Sequence, residues 1–409
     1  MGNIIDYVRE ETRGFDERPF GDVDALVLAS VAYQKLPPSA PRLSEQTERY
    51  GTFWKRLKAF WRVPFEGPTL SEVAVELTKP DGEFTIREGH TGLGDPELDE
   101  QLFEALVDSP RFGDIRVGAY EERFSEAEQT QFAAETMLLP DRAGTIVVAF
   151  RGTDDSFAGW KEDFNMSFQY PVPAQESAMK YTTAIAGLWR RGFGHMMSRI
   201  FGQGNGQKFG QEHPLILTGH SKGGNVAVYA AMNADEKIRK RITRAYSLDG
   251  PGFPSDVVNS AEYAAVTPKV EKIVPDSSIV GMILETPEPC TVVVSDQKGI
   301  MQHLTYSWQL NDRWEFERLP HVSSSSQYFN TQLNAWLSGL TVEQREHAVD
   351  ALFSLLGASG SDSLSGMMKT MPRAIPDIIN SYVGLSDEDR RNLRYVFNLL
   401  LKTSLARGK

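Results

Sequence analysis

Gly219-His220-Ser221-Lys222-Gly223 is the pentapeptide of this chain with the most chemistry in it. A serine with glycines two residues away on either side fits a sharp turn from a strand into a helix, which lifts the hydroxyl clear of the backbone. Serine is a weak nucleophile at its ordinary pKa and needs a base beside it. Histidine can take and return a proton near neutral pH, and a carboxylate fixes its tautomer. The chemistry to look for is therefore nucleophilic attack on an acyl carbon. The amide N–H of Lys222, at the start of the helix, would face the negative charge that develops.

A second oxyanion donor belongs in a loop that follows a buried strand. VVAFRGTDDSFAGWKEDF (147–164) offers one about 70 residues before the serine. Gly152 permits close backbone approach there, and Thr153 supplies an N–H and a hydroxyl. The base must come from seven histidines. In this architecture the acid and then the histidine follow the serine in the chain, which leaves His303, His321 and His347. His303 lies in the loop after the last buried strand and is the expected base. His220 adjoins the serine but would point away from its Oγ. The expected acid is Asp276, at the end of VEKIVP (270–275). Asp249, after AYSLDG, and Asp296, after CTVVVS, compete with it.

These residues need a scaffold, and the chain from residue 131 offers one. TIVVAF (145–150) and LILT (215–218) are continuous apolar runs, as in strands buried on both faces. QFAAETMLL (131–139), AYSLDG (245–250), VEKIVP (270–275) and CTVVVS (290–295) read as further strands. NVAVYAAMNA (225–234) and 175–201 read as helices. Such alternation predicts an α/β fold with a mostly parallel central sheet flanked by helices on both faces.

The flanks are different. Residues 1–130 read as a helical or irregular region leading into the core, with helices over 21–36 and 101–109 and a short strand near Arg116–Tyr120. Residues 131–320 form the expected catalytic core. Residues 327–409 read as a C-terminal helical extension, opened by a Thr341-x-x-Gln344 capping box. No repeats are present. FWKRLKAFWRV (53–63) is a cationic, aromatic helix that could touch a membrane surface, although a stripe of this kind more often packs on a core.

Composition bounds the rest. The chain has 409 residues, and at about 150 residues per domain this suggests two to three domains. Its net charge of −12 argues against nucleic acid as a partner. One cysteine, Cys290, excludes an internal disulfide framework. No apolar leader and no run of about 18 apolar residues is present, so the expectation is a cytoplasmic protein without a membrane span. Neither a phosphate-binding P-loop nor an H-E-x-x-H metal motif occurs, and no cofactor or metal is expected.

Set together, the segments FGDVDALVLASVAYQKLP, TIVVAFRGTDDSFAGWKEDF, LTGHSKGGNVAVYAA, YSLDGPGF, IVPDSSIVGMIL and QHLTYSWQL resemble a bacterial lipase-like family of the α/β-hydrolase superfamily. That family is related to the fungal-type (class 3) lipases. Fungal-type lipases carry F-R-G-[ST] with a downstream Trp and Asp, matched here by Trp160 and Asp163. Their G-H-S-L-G-G is matched by residues 219–224, with Lys222 in place of Leu. The resemblance implies an α/β-hydrolase fold, with Ser221, Asp276 and His303 as a catalytic triad and Thr153 and Lys222 as oxyanion donors. It implies a serine hydrolase of carboxylic esters, with lipid esters among the candidate substrates; the aromatic segment 157–170 and the Met-rich segment 366–371 could serve as a lid. Fold does not settle function. A thioesterase, an acyltransferase or a non-catalytic binding protein would share these residues, and nothing in the sequence sets the oligomeric state.

Overall fold

The computed structural model describes residues 2–52, 54–55, 67–79, 85–86, 94–188, 213–358, 360–361, 363 and 378–405. One eight-stranded sheet organises them, with its strands side by side in chain order. They are β1 (Arg116–Ser125), β2 (Thr130–Leu138), β3 (Ile146–Phe150), β4 (Leu215–His220), β5 (Ile242–Leu248), β6 (Val270–Pro275), β7 (Cys290–Val293) and β8 (Arg318–Leu319). β3 to β7 run parallel, whereas β1, β2 and β8 are antiparallel to their neighbours. This is the mostly parallel α/β sheet that the alternating pattern predicts.

Strand order also decides where the helices go. Parallel strands laid down in sequence with right-handed crossovers send their connecting helices to one face. The helices Pro173–Leu188, between β3 and β4, and Lys222–Asn233, between β4 and β5, accordingly share one apolar layer with Val148, Leu217 and Ala245. The opposite face is covered by helices that precede the sheet, Ile4–Glu10 (α1), Asp22–Val31 (α2) and Pro96–Val107 (α3). Val147, Ala149, Ile216 and Ile273 project into that second layer. The N-terminal region is thus half of the core rather than a lead-in to it. The sheet itself begins before residue 131, because β1 pairs with β2 over eight residue positions.

A buried clip ties this layer together. Arg111 donates from Nε to Asp24 Oδ1 at 2.7 Å and from Nη2 to Asp24 Oδ2 at 2.7 Å. The Tyr7 hydroxyl adds a third bond to Asp24 at 2.9 Å. Arg111 spends its remaining donors on the carbonyls of Arg13 and Arg18.

The helices used below are α4 (Phe157–Asn165), α5 (Pro173–Leu188) and α6 (Lys222–Asn233), followed by α7 (Ser324–Ser338), α8 (Val342–Gly357) and α9 (Asp387–Leu405). α7 to α9 form the C-terminal helical part that the sequence predicts. The capping box opens α8 as read: Gln344 N–H donates to Thr341 Oγ1 at 3.2 Å, and Thr341 N–H to Gln344 Oε1 at 2.9 Å. Phe329, Leu333 and Leu337 of α7 close on Ile279 and Leu399. Between β6 and β7 the chain makes a 3-10 turn at Val280–Met282. Of the expected helix 175–201, α5 ends at Leu188 and 189–212 fall outside the described residues. So do 366–371 and, apart from Trp54 and Lys55, residues 53–63. No described helix is long and apolar enough to cross a membrane.

Candidate active site

Ser221 follows β4 directly and stands at the head of α6, with φ 60° and ψ −132°. A non-glycine residue rarely holds this backbone conformation, and surrounding structure must impose it. The flanking glycines allow it. A Cβ on Gly219 would lie 2.2 Å from the carbonyl of Gly223, and a Cβ on Gly223 would lie 2.2 Å from the carbonyl oxygen of Phe150. Strand and helix therefore cross here with no room for a side chain. The sharp turn from strand into helix that the pentapeptide predicts is present.

His303 comes from the 3-10 turn Gly299–His303, after β7. Its Nδ1 donates to Asp249 Oδ2 at 2.6 Å. Asp249 is 1% exposed, at the end of β5. Its other oxygen accepts from Ser278 Oγ at 2.5 Å and from the Gly281 N–H at 3.2 Å. Burial opposes charge on this carboxyl, but the hydrogen bond and charge of His303, with the Ser278 hydroxyl, hold it below its ordinary value.

The carboxylate that meets His303 is therefore Asp249 and not Asp276. The reason is strand order. Ser221 tops β4, and β5 is the strand beside it. Asp276 follows β6, a further strand spacing of about 4.8 Å away. Its backbone N–H donates to Val293 and its carbonyl accepts from Ser323. The segment after Asp276 bends so that Ser278 and Gly281 serve Asp249. A Cβ on Gly281 would sit 2.3 Å from Asp249 Oδ1, so only glycine lets the chain approach. The other histidines considered, His321 and His347, are both exposed.

Thr153 and Lys222 are brought together through α4. The Thr153 hydroxyl donates to Asp163 Oδ2, which commits its hydrogen and leaves the backbone N–H as the donor this residue can offer elsewhere. Lys222 occupies the first position of α6, where a backbone N–H has no partner inside the helix. Its side chain runs away from solvent. Nζ donates to the Gln131 carbonyl at 2.8 Å and lies 3.2 Å from Glu162 Oε2 and 3.8 Å from Asp163 Oδ1. Burial pushes the Asp163 carboxyl up to about 6, against the pull of Lys222 and Thr153.

The expected lid segment 157–170 is tied to the sheet along α4. Glu162 accepts from Thr130 Oγ1 at 2.7 Å, Gln131 N at 3.0 Å and Ala174 N at 2.8 Å, besides Lys222. On its outer side α4 meets α8, where Phe353 packs edge-on against Phe157 and Phe164, and Lys161 pairs with Asp350 at 2.7 Å.

Ser221, His303, Thr153, Trp160 and His220 line one pocket of about 600 Å³, counting solvent at its mouth. Tyr33, Asp99 and Tyr306 form a polar part of its wall, where the Tyr306 hydroxyl donates to Asp99 at 2.5 Å. The indole N–H of Trp160 is enclosed and has no hydrogen-bond partner among the described residues. A serine, an imidazole oriented by a buried carboxylate and two backbone donors can together perform acyl transfer. Sequence reasoning names these positions as expectations, with Asp276 preferred and Asp249 as its competitor, whereas the acid that pairs with His303 is Asp249. It missed Tyr33 and Asp99, which come from the N-terminal layer and carry no motif. No group of three or more His, Cys, Asp or Glu among the described residues could hold a metal ion.

Among known proteins, a family model described as Mbeg1-like matches residues 106–354, more than half of the chain. The match spans the whole sheet and includes Ser221, Asp249 and His303. No curated protein and no solved structure matches.

Proposed function

This chain belongs to the Mbeg1-like family, which is lipase-like, and from that footing we propose that it is a serine hydrolase of carboxylic esters. The observation that carries the reading is the 2.6 Å bond from His303 to buried Asp249, on the wall of the pocket that holds Ser221.

In this reading Ser221 Oγ attacks the acyl carbon while His303 takes its proton. Asp249 holds the imidazole tautomer and stabilises the imidazolium without itself being protonated. The backbone N–H groups of Thr153 and Lys222 bind the oxyanion. The tetrahedral intermediate then expels the alcohol, which takes the proton from His303 and leaves an acyl-enzyme. Water, deprotonated by His303, releases the acid and restores Ser221. Small-molecule esters, lipid esters included, are the proposed substrates, and the single cysteine suits a cytoplasmic setting.

A fluorophosphonate probe tests this. The adduct should map to Ser221, disappear in Ser221→Ala, and form far more slowly in His303→Ala and Asp249→Ala. Absence of labelling in folded wild-type protein would overturn the reading in favour of a binding protein with this fold.

A further inference from the structure

His220 is held at both ring nitrogens. Nε2 lies 2.7 Å from the backbone carbonyl oxygen of His303, and Nδ1 lies 2.9 Å from the Tyr33 hydroxyl. A carbonyl oxygen only accepts, so Nε2 carries the hydrogen and Nδ1 accepts from Tyr33. The residue is 4% exposed, and burial pushes its imidazole down to about 3, aided by nearby His303 and opposed by Asp249. The ring is neutral at physiological pH, and neither nitrogen is left to serve Ser221. Its centroid lies 4.4 Å from that of His303.

The arrangement reaches further back. Tyr33 comes from the turn after α2, in the layer that precedes the sheet. A Cβ on Gly152 would lie 1.9 Å from the Tyr33 hydroxyl and 2.7 Å from the His220 carbonyl. The glycine after β3 therefore makes room for the phenol that holds His220. On the other side of the base, the Trp308 indole N–H donates to the Gln302 carbonyl at 2.9 Å, and Ser277 N–H donates to the Gln302 side chain at 2.7 Å. Consecutive residues of the loop, 302 and 303, are thus gripped from different elements.

We propose that His220 is a positioning residue: its Nε2–H fixes the His303 peptide, and with it the direction in which the His303 ring leaves the backbone, while Tyr33 locks the tautomer that can do so. The proposal rests on His303 being the base of a serine hydrolase. It gives the histidine beside the nucleophile a task other than proton transfer, and it makes the N-terminal layer part of the site.

The test compares His220→Phe, His220→Gln and Tyr33→Phe with wild type, using p-nitrophenyl acetate turnover and fluorophosphonate labelling rate, with thermal melts as the check on folding. Misplacing a base by about 1 Å costs roughly 100-fold. His220→Phe should lose about that factor in kcat with little change in KM. His220→Gln, which keeps a donor near the Nε2 position, should recover most of the loss. Tyr33→Phe should fall between them with its fold intact. Equal rates in wild type, His220→Phe and Tyr33→Phe would overturn the proposal, as would no advantage of Gln over Phe at equal folded fraction. A second readout does not depend on turnover: ring ¹⁵N shifts should show His220 as a neutral Nε2–H tautomer from pH 5 to pH 8. A His220 that titrates in that range, or that carries its hydrogen on Nδ1, would overturn the proposal even if Ser221 proved unreactive. Failure of wild type to label at Ser221 would instead count against the hydrolase reading.

Discussion

Lys222 Nζ and Glu162 Oε2 form an ion pair of 3.2 Å in which the two side chains are 2% and 0% exposed. One partner adjoins Ser221 and the other sits on the helix after the loop that carries Thr153. The resemblance to fungal-type lipases places a leucine at position 222. Here the cation turns inward and fastens α6 to α4, so it does not line the pocket beside Ser221. Removing one partner of a buried pair leaves an uncompensated charge. Lys222→Met should cost about 3–5 kcal/mol of stability by urea unfolding. The double variant Lys222→Met/Glu162→Gln should recover a large part of it.

The pairing of Asp249 with His303 separates two carboxylates that compete in sequence. Asp249→Asn should lower kcat by about 10⁴-fold, the scale of losing tautomer control in a serine triad. Asp276→Asn should stay within about threefold of wild type, because Asp276 does not meet His303. Esterase assays on both variants at one pH decide between them.

Glu135 on β2 is 1% exposed, and neither carboxylate oxygen has a hydrogen-bond partner among the described residues. Burial pushes this carboxyl up to about 8, only partly offset by Arg151. The folded chain thus keeps a proton that the unfolded chain loses above about 4.3. The group favours folding fully below that value, and its contribution falls as pH rises towards 8, by at most about 1.4 kcal/mol per pH unit. Glu135→Gln should flatten this slope. Its stabilising effect should be large at pH 8.5 and small near pH 5, as read from urea melts across that range.

Arg111 and Asp24 should matter to the whole fold, since they join the helices that cover one face of the sheet. Arg111→Ala leaves Asp24 buried with only the Tyr7 hydroxyl among the partners described above. The expected cost is about 3–5 kcal/mol, with the sheet and the N-terminal layer unfolding in one transition. Melts followed by far-UV and near-UV dichroism would show coincident curves.

The sequence by itself determined what is local. Strand, turn and helix around Ser221 lie within one short stretch, and two glycines that admit no Cβ mark the turn by residue type alone. β6 begins and ends where VEKIVP begins and ends, a match carried by the β-branched Val270, Ile273 and Val274 even though Glu271 and Lys272 interrupt the run. His303 was legible from chain order, since only one histidine follows the last buried strand closely.

Tertiary structure decided what depends on neighbours far apart in the chain. Which aspartate meets His303 follows from which strand lies beside β4, and spacing along the chain does not encode that distance. Nothing in the sequence pairs Lys222 with Glu162, 60 residues earlier, yet the two side chains meet in the structure. Tyr33 lies in the turn after the apolar helix α2 and carries no chemical motif. It enters the site because a sheet laid down in sequence leaves one face for the N-terminal helices to cover, and burial of that face brings the phenol within hydrogen-bond reach of His220.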